Sequence, residues 1–320
     1  MPHASAPLDV ETLSAQRQAL ERLLDDANRV ILGKERPVRM AVACLLARGH
    51  LLIEDLPGVG KTTLAHLLAR LLGLQFQRIQ FTSDLLPADI VGAAVYDREA
   101  ARFTFHPGPI FSQLTLADEV NRATPKTQSA LLEAMEEQQV TVEGETRDLP
   151  EPFFVIATQN PGTQVGTFPL PESQLDRFLM RVEMGYPDRR AEHELLRGQD
   201  RRRMIQSLTP ALAPGTLAAL QAAVPRVHVA DALLDYVQAL LDYTRRSDAF
   251  RMGLSPRAGL ALVRAAQAWT LLEGRSAVLP EDVQAVFTQV AGHRLQLAGE
   301  HGGRALRSQV GAVLEEVPIP

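Results

Sequence analysis

Whole classes of protein are excluded by what this sequence lacks. Its 320 residues include one cysteine, Cys44, so an intrachain disulfide and a cysteine-cluster metal site are both ruled out. Cys44 stands in an apolar run, residues 40–47, and reads as a buried, inert thiol. Aromatic residues make up only 5%, with a single tryptophan. A core so poor in rings must be built from Leu, Val, Ile and Ala, which favours helices and buried parallel strands over a β-sandwich. Positive charge is not in excess either: 33 Lys and Arg stand against 38 Asp and Glu, a net charge of −5. That balance excludes a generally basic nucleic-acid-binding surface, though not a local groove. The longest uncharged stretches, 153–171 and 207–225, are broken by Pro, Gly and polar residues, so no membrane span is expected. The N-terminus, MPHASAPLDV, lacks the basic and apolar segments of a secretory signal, and a cytoplasmic protein is the expectation. The eight histidines are scattered without metal-ligand spacing, and no G-x-S-x-G nucleophile elbow is visible.

What is present is a globular composition, 46% hydrophobic and 22% charged, over a length that suggests about two domains. Residues 9–28 carry leucines near a 3.6-residue period and predict a helix. Val30-Ile31-Leu32-Gly33 leads into a second helical run through Arg48, followed by the short apolar strand 51–53. Further apolar runs at 114–117 and 153–157 alternate with helical segments such as 64–72, closed by Gly73. This alternation predicts an α/β fold, a parallel sheet covered by helices. Two hairpins are expected as inserts, one pairing 93–96 with 102–106 and one pairing 138–142 with 146–149. After Pro187 the pattern reads as wholly helical, with Ser255-Pro256 as a helix start and Pro280 opening another helix.

The chemistry concentrates in a few places. The segment LPGVGKTT joins a strand to a helix. A phosphate-binding loop needs glycines to aim backbone N–H groups at an anion, a lysine for the β- and γ-phosphates, a hydroxyl for Mg2+ and a helix N-terminus. Pro57, Gly58, Val59, Gly60, Lys61, Thr62 and Thr63 supply this pattern, although Asp55 stands where the strict form has glycine. Asp118-Glu119 closes the strand 114–117, where an open α/β sheet places its ligand chemistry. Asp118 would join Thr62 in holding Mg2+, and Glu119 would activate water. Asn160, after the next strand, is either a neutral group orienting that water or part of an ordinary Asn-Pro turn.

Taken in order, LPGVGKT, LADEVNRATPKTQSALLEAMEE, FFVIATQNP, LPESQLDRF and GLSPRA resemble the MoxR family of AAA+ ATPases. The resemblance runs from about Val30 to the helix after Ser255, and residues 117–137 with the DRF motif are its most specific part. It implies an AAA+ P-loop core with a C-terminal all-α lid, divided as a helical extension over 1–28, an ATPase core over 29–187 and the lid over 188–320. By resemblance Asn160 is sensor 1, Arg177 the arginine finger inserted into a neighbouring subunit's site, and Arg257 sensor 2. Gly33 falls where the family brings backbone against adenine, or it simply closes the preceding helix. The first hairpin matches an insert within the second core helix, and the second the hairpin before sensor 1. Tyr96, Phe103 and Phe105 either pack the first hairpin on the core or meet a partner. The activity implied is ATP hydrolysis with Mg2+ in a hexameric ring, driving chaperone-like remodelling or maturation of a protein client, commonly by metal or cofactor insertion. The implied partner carries a von Willebrand factor A domain. A metal-chelatase motor subunit is the alternative, and a nucleic-acid translocase ranks behind it. The run 188–204 mixes arginines with acids and reads as a solvated helix face.

Overall fold

Strands that read as unbroken apolar runs need cover on both faces, and this chain supplies it. The computed structural model describes residues 10–99, 101–160, 166–198, 200–213, 215–298 and 307–319. Residues 1–9 of the expected extension, Ala100 in the first hairpin turn and Pro161 lie outside the described residues. The chain begins with α1 (Val10–Val30) and α2 (Glu35–Leu46), then β1 (His50–Glu54), α3 (Lys61–Leu72), β2 (Phe76–Gln80) and α4 (Pro87–Val91). The first hairpin, β3 (Gly92–Asp97) and β4 (Arg102–Pro107), leads to β5 (Leu114–Asp118) and α5 (Pro125–Glu137). The second, β6 (Gln139–Val142) and β7 (Glu145–Asp148), precedes β8 (Phe154–Gln159), α6 (Glu172–Leu175) and β9 (Phe178–Val182). The remainder comprises α7 (Arg189–Leu196), α8 (Arg201–Ser207), α9 (Thr216–Ala223), α10 (Asp231–Arg246), β10 (Phe250–Met252), α11 (Pro256–Leu272), α12 (Pro280–Ala291), β11 (Gln296–Leu297) and α13 (Arg307–Glu316).

The central sheet has five strands in the order β2-β5-β8-β1-β9, all parallel. Alternation along each strand feeds two apolar layers. Leu51, Ile53, Leu116 and Ile156 face a layer with α1, α2, α3 and the C-terminal helices, while Leu52, Ala117, Val155 and Ala157 face Leu131, Leu132 and Met135 of α5. Leu20, Leu23 and Ala27 of α1 are buried in the first of these layers. The apolar interior therefore runs without a break from α1 into the C-terminal helices. No helix among the described residues is long and apolar enough to cross a membrane.

Two strands of the central sheet escape sequence reading, both at its edges. In β2 only Ile79 is buried, so little periodicity remains. In β9 the apolar run contains Arg181, whose guanidinium reaches Glu54 at 2.8 Å. The region after Pro187 is not wholly helical, because β10 and β11 pair antiparallel with Phe250 opposite Leu297. These strands are too short to carry an alternation signal. The first hairpin also differs from expectation. It leaves α4 but does not return to a helix, since Pro107, Gly108 and Pro109 disfavour one and the chain turns directly into β5. Its base is pinched: a Cβ on Gly92 would lie 2.3 Å from the His106 carbonyl oxygen, and one on Gly108 2.2 Å from that of Ile90. At its far end Tyr96 and Phe103 are exposed and meet edge to face at 5.2 Å. Phe105 turns inward, 5.7 Å from Phe111 and beneath the Arg147 guanidinium of the second hairpin at 4.0 Å.

His50 locks β1 to its surroundings. The Val155 N–H donates to its Nδ1 at 3.0 Å, so Nε2 carries the proton and donates to the Met135 carbonyl at 3.1 Å. Burial lowers its pKa from 6.5 to about 4. The unfolded chain takes up a proton below 6.5 that the folded one refuses, so this contribution is complete above pH 6.5 and is lost towards pH 4. Stability should fall by at most about 1.4 kcal/mol per pH unit through this group. Melting temperatures between pH 7 and 5 should show a smaller acid shift in His50→Gln, whose amide can serve both neighbours; an unchanged shift would assign the acid sensitivity elsewhere.

Candidate active site

Parallel strands place their C-terminal ends together, and the chemistry-bearing residues collect there. The loop after β1 passes Gly58 and Gly60 with φ of 85° and 96°, values that side chains rarely adopt. Nothing stands within 4 Å of a Cβ added at either glycine, so both open onto free space. The loop then enters α3 at Lys61 with no side-chain cap on the helix N-terminus. Uncapped first-turn N–H groups beside an open cradle suit a phosphate.

Lys61 is buried, and its ammonium donates to the Asp55 carbonyl at 2.5 Å and to Asn160 Oδ1 at 3.3 Å. Burial lowers its pKa, while the carboxylates of Asp55, Asp118 and Glu119 oppose that shift. Asn160 turns its amide nitrogen to Glu119 Oε1 at 3.3 Å, so one side chain links the lysine to the carboxylate. Gln80 Nε2 donates to Glu119 Oε2 at 3.1 Å, and Arg122 lies 3.3 Å from the same oxygen. Glu119 adopts φ 57°, ψ 47°, a strained conformation for a non-glycine residue. Its N–H is held by Thr158 Oγ1 at 2.9 Å, and that hydroxyl donates to Asp118 Oδ1 at 2.5 Å. Asp118 Oδ2 accepts from Arg78 at 2.6 Å. Thr62 and Thr63 sit half-buried in the first turn of α3.

Asp55 does different work from the glycine of the strict pattern. Its carboxylate accepts the Leu56 N–H at 2.7 Å and the Gly185 N–H at 2.5 Å. The loop is thereby tied to the segment that leads from β9 to α7. Asp55→Gly restores the strict pattern but should speed amide exchange at Gly185 at least tenfold, given that a hydrogen bond to a charged group is worth about 1.5–3 kcal/mol. Unchanged exchange at Gly185 would show that the contact does not restrain the segment.

Beside the loop lies a cavity of about 430 Å³, lined by Val30, Ile31, Leu32, Val59, Tyr186 and Leu195 among others. Its apolar walls and its continuity with Gly58, Gly60 and Thr63 suit a planar base attached to phosphates. Gly33 does not line it. Its φ is 65°, and a Cβ there would meet Ala191 Cβ at 3.0 Å, so its missing side chain admits α7. Sequence reading missed Tyr186, Leu195 and Arg201, which come from separate segments and share no spacing signal. The run read as a solvated helix face does expose most of α7, yet its Leu195, Leu196 and Arg201 turn towards this cavity.

Arg177 and Arg257 are not in this group. Arg177 immediately precedes β9, which is parallel to β1 with Phe178 opposite His50. It stands at the N-terminal ends of the strands, a strand length of roughly 16 Å from the loop end at about 3.3 Å per residue. There Arg177 reaches Glu136 at 2.9 Å, and Arg257 reaches the same carboxylate at 3.2 Å. Arg257 also lies 3.7 Å from Asp176, which Arg294 holds at 2.6 Å. Three guanidiniums and two carboxylates make this cluster, leaving it one positive charge in excess.

The model of the ATPase family associated with various cellular activities (AAA) matches residues 50–180, and that of the AAA lid domain matches 242–316. The chain is 43% identical to the uncharacterized protein YeaC of Bacillus subtilis (strain 168), over 94% of this chain and 95% of that one. It is 38% identical to Chaperone MoxR1 of Mycobacterium tuberculosis, over 99% of this chain and 87% of the relative. Protein MoxR of Paracoccus denitrificans is 33% identical, over 92% and 94% of the two chains. A crystal structure of an assigned ATPase from Cytophaga hutchinsonii superposes with a TM-score of 0.87 at 34% identity, covering 97% of each chain.

Proposed function

The chain belongs to the MoxR family of AAA+ ATPases, and from that premise we propose that it hydrolyses ATP with Mg2+ to remodel or mature a protein client. The observation that carries the reading is the bridge from Lys61 through Asn160 to Glu119. A phosphate-binding cation and a candidate base are joined there by a neutral side chain that can sense what lies between them.

The residues fit nucleotide and metal. Gly58 and Gly60 leave open the space that side chains would fill, and the uncapped start of α3 supplies N–H donors. Thr62 and Asp118 offer the oxygen ligands that Mg2+ prefers, and when bound the ion neutralises charge on the β- and γ-phosphates. Lys61 donates to those phosphates. Glu119 takes a proton from water as the water oxygen bonds to the γ-phosphorus and the bond to the bridging β-oxygen breaks, giving ADP and phosphate. Asn160 and Gln80 keep the Glu119 carboxylate oriented.

Arg177 acts on the nucleotide of a neighbouring copy, because the length of β9 separates it from its own loop, and Arg257, sensor 2 by family resemblance, stands beside it at the start of α11 through their shared Glu136. The excess positive charge of their cluster suits an anion brought by that neighbour. A ring results, hexameric by family resemblance, in which each site is completed by the next subunit. The domain division 1–28, 29–187 and 188–320 describes extension, core and lid, and a cytoplasmic location goes with this reading. The family resemblance further supports a partner with a von Willebrand factor A domain and a role in metal or cofactor insertion. Nothing in the charge distribution favours nucleic acid over a protein client. The test is Mg2+-dependent phosphate release from ATP by the purified chain, with Glu119→Gln as the variant that should bind but not turn over. Absence of release from assembled rings would overturn the reading.

A further inference from the structure

We propose that His293 and Arg294 are the positioning residues of the arginine finger, clamping the backbone on either side of Arg177 so that its guanidinium is presented to the neighbouring copy. The proposal rests on the reading of Arg177 as acting in trans.

The pair lies between α12 and β11, far in sequence from Arg177, and no motif pointed to it. The Arg294 side chain is 6% exposed. Burying a guanidinium is costly unless each N–H finds an acceptor, and here all five do. Nε donates to Asp176 Oδ1 at 2.6 Å, and Nη2 donates to the Asp176 and Phe178 carbonyls at 3.1 and 2.7 Å. Nη1 donates to the Leu179 carbonyl at 3.2 Å and to that of Val290. His293 Nε2 donates to the same Phe178 carbonyl at 2.9 Å. Apart from Val290, every acceptor lies within residues 176–179, the segment that carries the finger.

The clamp holds backbone and leaves the finger's own side chain alone. The Arg177 guanidinium is tied to Glu136 and its side chain is 27% exposed, so it can change partner while its Cα stays fixed. A displacement of about 1 Å in such a group can cost on the order of 100-fold in rate.

Mixed rings test this with full-length chains. Arg177→Ala subunits lack a finger but keep a competent site, and Glu119→Gln subunits lack a base but keep the finger. Their mixture should release phosphate. Donors carrying Glu119→Gln together with Arg294→Gln should rescue at least about tenfold less well, and an Arg294→Lys donor, limited to three N–H groups, should fall between the two. Arg294→Gln subunits with an intact Glu119 should still hydrolyse ATP when mixed with excess Glu119→Gln donors, because the finger then comes from the neighbour. Equal rescue by the Arg294→Gln donor overturns the clamp alone. Loss of the Arg294→Gln subunit's own hydrolysis in that mixture makes the residue generally structural and overturns it too. If the plain Glu119→Gln donor rescues nothing although mixed rings form, the trans reading fails and the clamp falls with it.

Discussion

Glu119→Gln should bind ATP within about twofold of the parent chain while turnover falls by roughly 10²–10⁴-fold, the range for loss of a positioned base. The asymmetry follows from the site's construction. Lys61, the glycine loop and the start of α3 are held by Asp55, Asn160 and backbone, and the Glu119 charge that helps keep Lys61 protonated is seconded by Asp55 and Asp118. The loss falls on Glu119 itself. Its left-handed backbone aims one carboxylate, with Asn160 on one oxygen and Gln80 and Arg122 on the other. Glutamine keeps the shape but cannot take a proton from water, and its NH2 would face one of those donors. A fluorescent ATP analogue reads binding and phosphate release reads turnover. Hydrolysis near the parent rate would remove Glu119 from the role.

Arg177→Ala should cost about 10³–10⁵ in turnover, the range associated with an arginine finger, and the loss should be partly reversed by Glu119→Gln subunits in the same ring. The argument is topological. Arg177 enters β9 beside the start of β1, while the loop leaves the end of β1, so no side-chain rotation brings the two together within one chain. Arg257 would remain on Glu136 and keep part of the positive cluster. Nucleotide affinity of the isolated subunit should change little, since its cavity is lined by other residues. If mixing restores nothing in rings shown to contain both variants, Arg177 does not act in trans.

The sequence made the central strands and the phosphate loop legible for definite reasons. Strands 51–53, 114–117 and 153–157 are covered on both faces and so read as unbroken apolar runs. Gly58 and Gly60 are legible because left-handed backbone leaves glycine as the residue of choice. Ser255 and Pro256 announce α11, where the serine oxygen accepts the Ala258 N–H at 3.1 Å. Edge strands β2 and β9 were illegible, since exposure and a paired arginine erase their patterns. Asn160 lay between two meanings until its partners were seen: a turn residue and a bridge from Lys61 to Glu119 look the same in one dimension.

By itself the sequence determined which chemical groups the chain brings together locally. Local backbone demands, a lysine and hydroxyl at fixed spacing, and carboxylates at a strand end are short-range properties, and short-range properties survive in one dimension. Only the tertiary structure decided where each charge acts. It gathered Lys61, Glu119 and Asn160 at one end of the sheet and sent Arg177 and Arg257 to the other. It gave Asp55 a hydrogen bond to the Gly185 N–H in place of a glycine's freedom, and it closed a lid-borne histidine and arginine on the segment that carries Arg177. Those placements depend on the parallel order of five strands and on contacts more than a hundred residues apart. Helical or strand periodicity records which face of an element is buried, not which distant element will cover it.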